Sequence, residues 1–160
     1  EHVGLLREAY AFADIKSDDK VTKNGALIVR DNEVISKGSN RFLQGVKKTE
    51  ERMERPAKYY HQAHAERDAI YNCAKEGIRT DGSCLYMNWL PCINCAIATI
   101  GSGIKKIVCH LQTVQKTRER WQEDVQKAVN LLNEAGVEVI AFDGKVGEVK
   151  NLFDGKEWEP

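Results

Sequence analysis

No sign of charge prevails in this sequence: 24 lysines and arginines face 24 aspartates and glutamates across 160 residues. That balance supplies no general basic field of the kind that attracts nucleic acid. No apolar run reaches membrane-spanning length and no signal-peptide pattern is present, so neither a membrane partner nor a secretory route is expected. No repeat, low-complexity linker or compositional break divides the chain. It reads as a single domain over residues 1–160, long enough to bury one substantial core. The five cysteines are odd in number, and two of them stand in a metal-type motif. A disulfide framework is therefore not expected, and a reducing compartment, the cytoplasm, is. The chain begins at Glu1 and already reads as helix by Val3, so a few residues are expected to precede it.

What is present is a clear succession of periods. Val3, Leu6, Tyr10 and Ala13 recur at helical spacing, which predicts an amphipathic helix over residues 3–15. The apolar runs 25–29 and 33–37 flank Asp31-Asn32, the signature of a hairpin. From residue 39 to 60 the periodicity lapses and charge accumulates up to Arg55-Pro56. This predicts a long surface excursion, the kind of loop that usually carries function. Helical spacing returns over 64–75, with Gly77 as its stop. A strand over 84–89, a helix over 92–100 behind Pro91, a strand over 106–110, a helix over 118–135 closed by Gly136 and a strand over 137–142 follow. Residues 143–160 show no clear period. The order predicts a three-layer α/β/α sandwich around a mixed sheet of about five strands.

Two short runs carry the chemistry. His64-Ala65-Glu66 opens one predicted helix, and Pro91-Cys92-Ile93-Asn94-Cys95 opens another. One imidazole and two thiolates make a three-ligand zinc set, and zinc prefers four tetrahedral ligands, so one position is left for water. The cysteine spacing of three puts both sulfurs on one face of a helical turn, and the helix N-termini favour thiolate over thiol. The order His-x-Glu followed by Pro-Cys-x-x-Cys is the pattern of zinc-dependent nucleobase deaminases, in which the glutamate is not a ligand but the general acid and base. His64, Cys92 and Cys95 are thus read as zinc ligands and Glu66 as the proton shuttle for water attack on an amidine carbon. The competing reading is a structural zinc site, for which His61 or His110 would supply a fourth ligand. Cys73, Cys84 and Cys109 fall on apolar helix or strand positions and read as small buried hydrophobes.

The surroundings of these motifs resemble deoxycytidylate (dCMP) deaminases. The resemblance lies in Glu54-Arg55-Pro56-Ala57-Lys58-Tyr59-Tyr60, in residues 64–72 and 85–92, in Arg120-Trp121 and in 135–139. It extends from about residue 22 to 142, and the Arg-Pro-x-Lys-Tyr run is its more selective element, because the zinc motif is shared across the superfamily. It implies hydrolysis of dCMP to dUMP and ammonia for thymidylate synthesis. It also implies a homo-oligomer, often a hexamer, regulated by dCTP and dTTP, with Mg²⁺ accompanying a triphosphate effector. The family's Gly-Tyr-Asn-Gly run after the second strand, tied to that regulation, corresponds to Gly38-Ser39-Asn40-Arg41. Gly38 and Asn40 match; Ser39 and Arg41 depart.

Candidate substrate contacts are Asn40, Ala65 and, for the phosphate, Arg55 and Lys58, with Lys23 and Lys75 as weaker cations. Tyr60 and Trp89 flank the metal motifs and are candidates to stack on the base. Two other deaminase readings compete, a nucleic-acid deaminase resembling those acting on tRNA adenosine and a riboflavin-pathway or free-nucleoside deaminase. A non-enzymatic zinc module is the third alternative.

Overall fold

Ala26, Leu27, Ile28 and Val29 are consecutive and all buried, so the strand they form has to be covered on both faces. The computed structural model, which describes residues 1–160, shows how. Helix α1 (His2–Lys16) leads to β1 (Gly25–Arg30) and β2 (Glu33–Ser39), joined by Asp31 and Asn32, both at positive φ. That is the backbone a tight two-residue hairpin needs. The predicted excursion then holds four short elements: β3 (Arg41–Phe42), α2 (Glu50–Met53), α3 (Lys58–His61) and β4 (Gln62–Ala63). After it come α4 (Ala65–Glu76), β5 (Cys84–Met87), α5 (Ile93–Gly101), β6 (Lys106–His110), α6 (Leu111–Val114), α7 (Glu119–Glu134) and β7 (Glu138–Phe142). Residues 143–160 end in a small hairpin of β8 (Asn151–Phe153) and β9 (Lys156–Trp158).

The central sheet has five strands in the order β2-β1-β5-β6-β7. β1 runs antiparallel to β2 and β5, while β5, β6 and β7 are parallel. Ala26 and Ile28 join a core with Ala65, Ala69, Ala96, Ala128 and Leu132 from α4, α5 and α7. Leu27 and Val29 join Leu6, Ala9 and Tyr10 of α1 on the other face. The mixed α/β/α sandwich expected from the order of periods is the fold observed. His110, buried at the end of β6, belongs to the α1 side: Tyr10 Oη lies 2.7 Å from its Nδ1 and the Gly144 carbonyl 2.7 Å from its Nε2. His2 lies at the same face, its Nδ1 2.8 Å from Tyr86 Oη.

Strand register places the functional segments. Gly25 pairs with Ser39 and Ala26 with Met87, so Asn24, Asn40 and Asn88-Trp89 emerge together at one sheet edge. The parallel strand β5 ends there, where open α/β sheets carry their clefts. Helix α4 crosses β2 so closely that a Cβ on Gly38 would overlap the Ala65 carbonyl and the Ala69 amide. Both are backbone atoms and have no room to yield. Gly38→Ala is therefore expected to destabilise the fold by at least about 1–3 kcal/mol, the usual penalty of overpacking. Denaturant titration against the wild type checks this.

Candidate active site

His64 and Cys92 are the N-cap residues of α4 and α5, in extended backbone, and neither side chain caps its own helix. Both are free to turn towards the space between the two helix N-termini. His64 Nδ1 lies 3.5 Å from Cys92 Sγ and 3.4 Å from Cys95 Sγ. Tetrahedral zinc, with sulfur at about 2.3 Å and imidazole nitrogen at about 2.0–2.1 Å, sets such donors about 3.6 Å apart. The donor set fits the metal. These three residues form the whole cluster, with all ligand atoms within 4.8 Å of one another. Neither candidate for a fourth ligand joins them: His61 Nδ1 faces the Ala57 carbonyl at 2.7 Å, and His110 sits beneath the opposite face of the sheet.

Protonation in this cluster follows from crowding. The Cys95 thiol beside it and then His64 hold the Cys92 thiol far down, to about 3. Cys95, the donor towards Cys92, is pushed up by that bond and by burial, and the bond to Cys92 raises His64. A metal entering here displaces a shared proton, so zinc affinity falls as pH falls. Glu66 is 5% exposed, and burial raises its pKa above the carboxylate value of 4.5, with the neighbouring His64 opposing the shift.

His64, Glu66 and Cys92 lie in one cleft of about 380 Å³, within the range of small-ligand sites. Its near wall is the excursion and the sheet edge: Asn40, Arg55, Lys58, Tyr59, Gln62 and Trp89. Its far wall comes from α7 and the tail: Arg118, Arg120, Trp121, Asp124, Phe153 and Asp154. Trp89 is held between them, its Nε1 donating to Thr117 Oγ1 at 2.8 Å and its ring meeting the edge of Phe153 at 5.1 Å. Asp154 at the β8–β9 tip pairs with Arg118. The tip is pinned by the Asp154 amide on Thr22 Oγ1 and the Gly155 amide on the Val21 carbonyl. Asp124 Oδ2 accepts from the Ile93 amide at 3.4 Å, which ties α7 to the turn that presents Cys92.

The structure gathers some of the sequence candidates and sends others elsewhere. Arg55 lines the cleft without an ion-pair partner of its own. Lys58 reaches the cleft but is only 6% exposed, and its Nζ is committed to Asp19 at 2.9 Å. Asn40 lines the cleft as a brace: Oδ1 accepts from Ser17 Oγ and the Asn24 amide, and Nδ2 donates to the Thr22 carbonyl. Ala65 is buried under Gly38 and does not line the cleft. Tyr60 is 78% exposed and points away; its neighbour Tyr59 takes the cleft position, against Trp121. The reason is α3, a single turn in which adjacent residues cannot face the same way. Lys23 pairs with Asp14 and Lys75 with Gln44, both outside the cleft.

The Gly38–Arg41 run is engaged internally. Gly38 packs under α4, the Ser39 amide and Arg41 Nε both reach the buried Asp68 carboxylate at 3.0 and 2.8 Å, and Asn40 braces the loop.

The profile of the cytidine and deoxycytidylate deaminase zinc-binding region matches residues 1–111. The chain belongs to this deaminase family. It is 35% identical over 123 residues to a protein of Aliivibrio fischeri named as an uncharacterized deaminase in the luxG 3' region, covering 77% of this chain and 81% of that one. It is 34% identical to ComE operon protein 2 of Bacillus subtilis, covering 79% of this chain and 65% of that protein. Deoxycytidylate deaminase of Enterobacteria phage T4 matches at 35% over 79 residues, 49% of this chain and 37% of the phage protein. In fold it resembles the apo crystal structure of dCMP deaminase from cyanophage S-TIM5, with a TM-score of 0.70 at 23% identity, covering 88% and 96% of the two chains. The matched family region contains the zinc-binding set. Arg118, Arg120, Trp121, Phe153 and Asp154 of this deaminase lie beyond it, so the far wall of the cleft lies outside the family region.

Proposed function

We propose that this deaminase hydrolyses dCMP to dUMP and ammonia, with His64, Cys92 and Cys95 holding zinc and Glu66 moving the proton. The observation that carries the reading is the cleft itself. A three-donor set with no fourth protein ligand sits beside a buried carboxylate, under a mouth bearing guanidinium groups. Zinc bound there would act as a Lewis acid that lowers the pKa of water from about 15.7 towards 7. Glu66 accepts one proton from the attacking water and gives it to the ring nitrogen, then takes the second from the new C4 hydroxyl and gives it to the amine as the C–N bond breaks. Burial, which raises its pKa, suits it to giving the proton back near neutral pH.

Trp89 and Tyr59 offer faces to a planar base. Arg55 and Arg120 line the cleft with no hydrogen-bonded carboxylate among their contacts, which suits them to a phosphate. Lys58, tied to Asp19, is a supporting cation in this scheme. The relatives named as deoxycytidylate deaminases support dCMP over a free nucleoside.

The reading includes one catalytic domain, a cytoplasmic location and a homo-oligomer. No helix is long and apolar enough to cross a membrane. Exposed Tyr60, Tyr71 and Ile97 offer apolar surface for subunit contact. Regulation by dCTP and dTTP, with Mg²⁺, belongs to the same reading, although the Ser39 amide and the Asn40 and Arg41 side chains already bond within the fold.

The test is loss of cytosine absorbance for dCMP, deoxycytidine, CMP and dCTP, each with and without dCTP or dTTP as effector. A preference for dCMP supports the proposal; equal rates for dCMP and deoxycytidine defeat the nucleotide part. The acid limb of kcat/KM offers a second check. Glu66 works as a base only when ionised and its pKa is raised, so activity is present above that pKa and lost as pH falls through it. The limb is expected above the ordinary carboxylate value of 4.5, and the limb measured with zinc held saturating excludes metal loss as its cause.

A further inference from the structure

Gln62 lines the cleft and has no part in the proposed reaction. Its Nε2 is buried and has no hydrogen-bond partner. Backbone pairing with Phe42 fixes its position, and the chain is extended both there and at His64. Alternate side chains of an extended segment share a side. Gln62 therefore projects with His64 into the cleft, while Ala63 between them turns to the interior. A buried donor left without an acceptor is rare and costly, and an aliphatic side chain of similar size would avoid the cost. Arg67 Nε is the second buried, unpartnered polar atom among the residues lining this cleft. Both orphans are donors. A ligand that satisfies them has to bring oxygen acceptors close to the metal set.

We infer that Gln62 is a specificity-determining residue, donating a hydrogen bond to an oxygen acceptor of the bound nucleotide, either the ring carbonyl or a sugar hydroxyl. The inference rests on the proposed nucleotide substrate and deepens it. A site built to hydrogen-bond a substrate group discriminates strongly against ligands that lack it, because its own buried group is then left unpaired.

Gln62→Leu tests this with the full-length, zinc-loaded protein. Without substrate, the variant is expected to keep its zinc and to melt at or above the wild-type temperature, because an unsatisfied donor has been removed. With dCMP, KM is expected to rise about tenfold while kcat stays within a factor of about three, the pattern of one lost binding hydrogen bond. The analogue 2',3'-dideoxycytidine 5'-monophosphate separates the two acceptors. If the partner is the 3'-hydroxyl, wild type and variant have the same KM for it; if it is the ring carbonyl, the tenfold difference persists. An unchanged KM for dCMP would overturn the inference, as would a lower melting temperature with zinc loss, which marks a structural role. Failure of the wild type to turn over dCMP would instead defeat the nucleotide reading, and the melting comparison would still report whether the donor is unsatisfied.

Discussion

Glu66→Gln is expected to lower kcat for dCMP by about a hundredfold to ten-thousandfold, the range of general acid–base catalysis. The carboxamide keeps the shape of the side chain but can neither take a proton from water nor return one. Zinc content should be unchanged, since Glu66 is not among the three clustered donors. Stability gives a second, opposite readout. Burial raises the folded-state pKa of Glu66, so this group contributes stability below the ordinary carboxylate pKa and loses it as pH rises through the raised value. Above that raised value the wild type carries a buried charge that the amide variant lacks, and there the variant should melt higher. Loss of activity together with a higher melting temperature separates removal of a proton shuttle from damage to the fold. Retained deamination in this variant would contradict the assigned role.

Exchange of Cys92 or Cys95 for serine is expected to remove both zinc and activity. Each cysteine supplies one of three donors, and the two remaining groups cannot close a tetrahedral set. Because the donors assemble only in the folded chain, bound zinc stabilises it by mass action, about 4 kcal/mol when free zinc is a thousand times its Kd. The serine variants should lose that increment, and a chelator should lower the wild-type melting temperature while leaving theirs unmoved. Metal analysis with paired thermal melts checks both. A serine variant that keeps stoichiometric zinc would show that Cys92 and Cys95 are not both ligands.

How much of this was legible in the sequence divides along physical lines. The two motifs that supply His64, Glu66, Cys92 and Cys95 were legible from local spacing at helix starts, and the packing of α4 beside α5 is what brings the three donor side chains together. The five strands and the main helices were, because each carries its own period. Gly77 was correctly read as the stop of α4, where it caps in the left-handed conformation. The far wall of the cleft was not. Phe153 and Asp154 lie on a three-residue strand and its turn, too short for any period, and they reach the site only because the tip bonds to residues 21 and 22. Arg118 and Trp121 had helical spacing but no signal that α7 would lean on α5. Tyr60 was favoured over Tyr59 because nothing local reveals which way one turn of helix faces. Lys58 reads from the sequence as a phosphate contact, and only the fold shows that it is buried against Asp19.

Those misses share a cause, since each depends on contacts between segments far apart in sequence. They also fall on the part of the site that would choose the substrate. The metal motifs are recognisable from local spacing and lie in the family region, whereas the cleft walls proposed to hold base and phosphate come from the excursion, α7 and the tail. The most direct measurement is the ratio of kcat/KM for dCMP to that for deoxycytidine on the zinc-replete protein, with dUMP and ammonia quantified as products. The account predicts equimolar dUMP and ammonia and a ratio well above about ten, the worth of a single ordinary hydrogen bond. A ratio near one, or cytosine loss without dUMP, would contradict it.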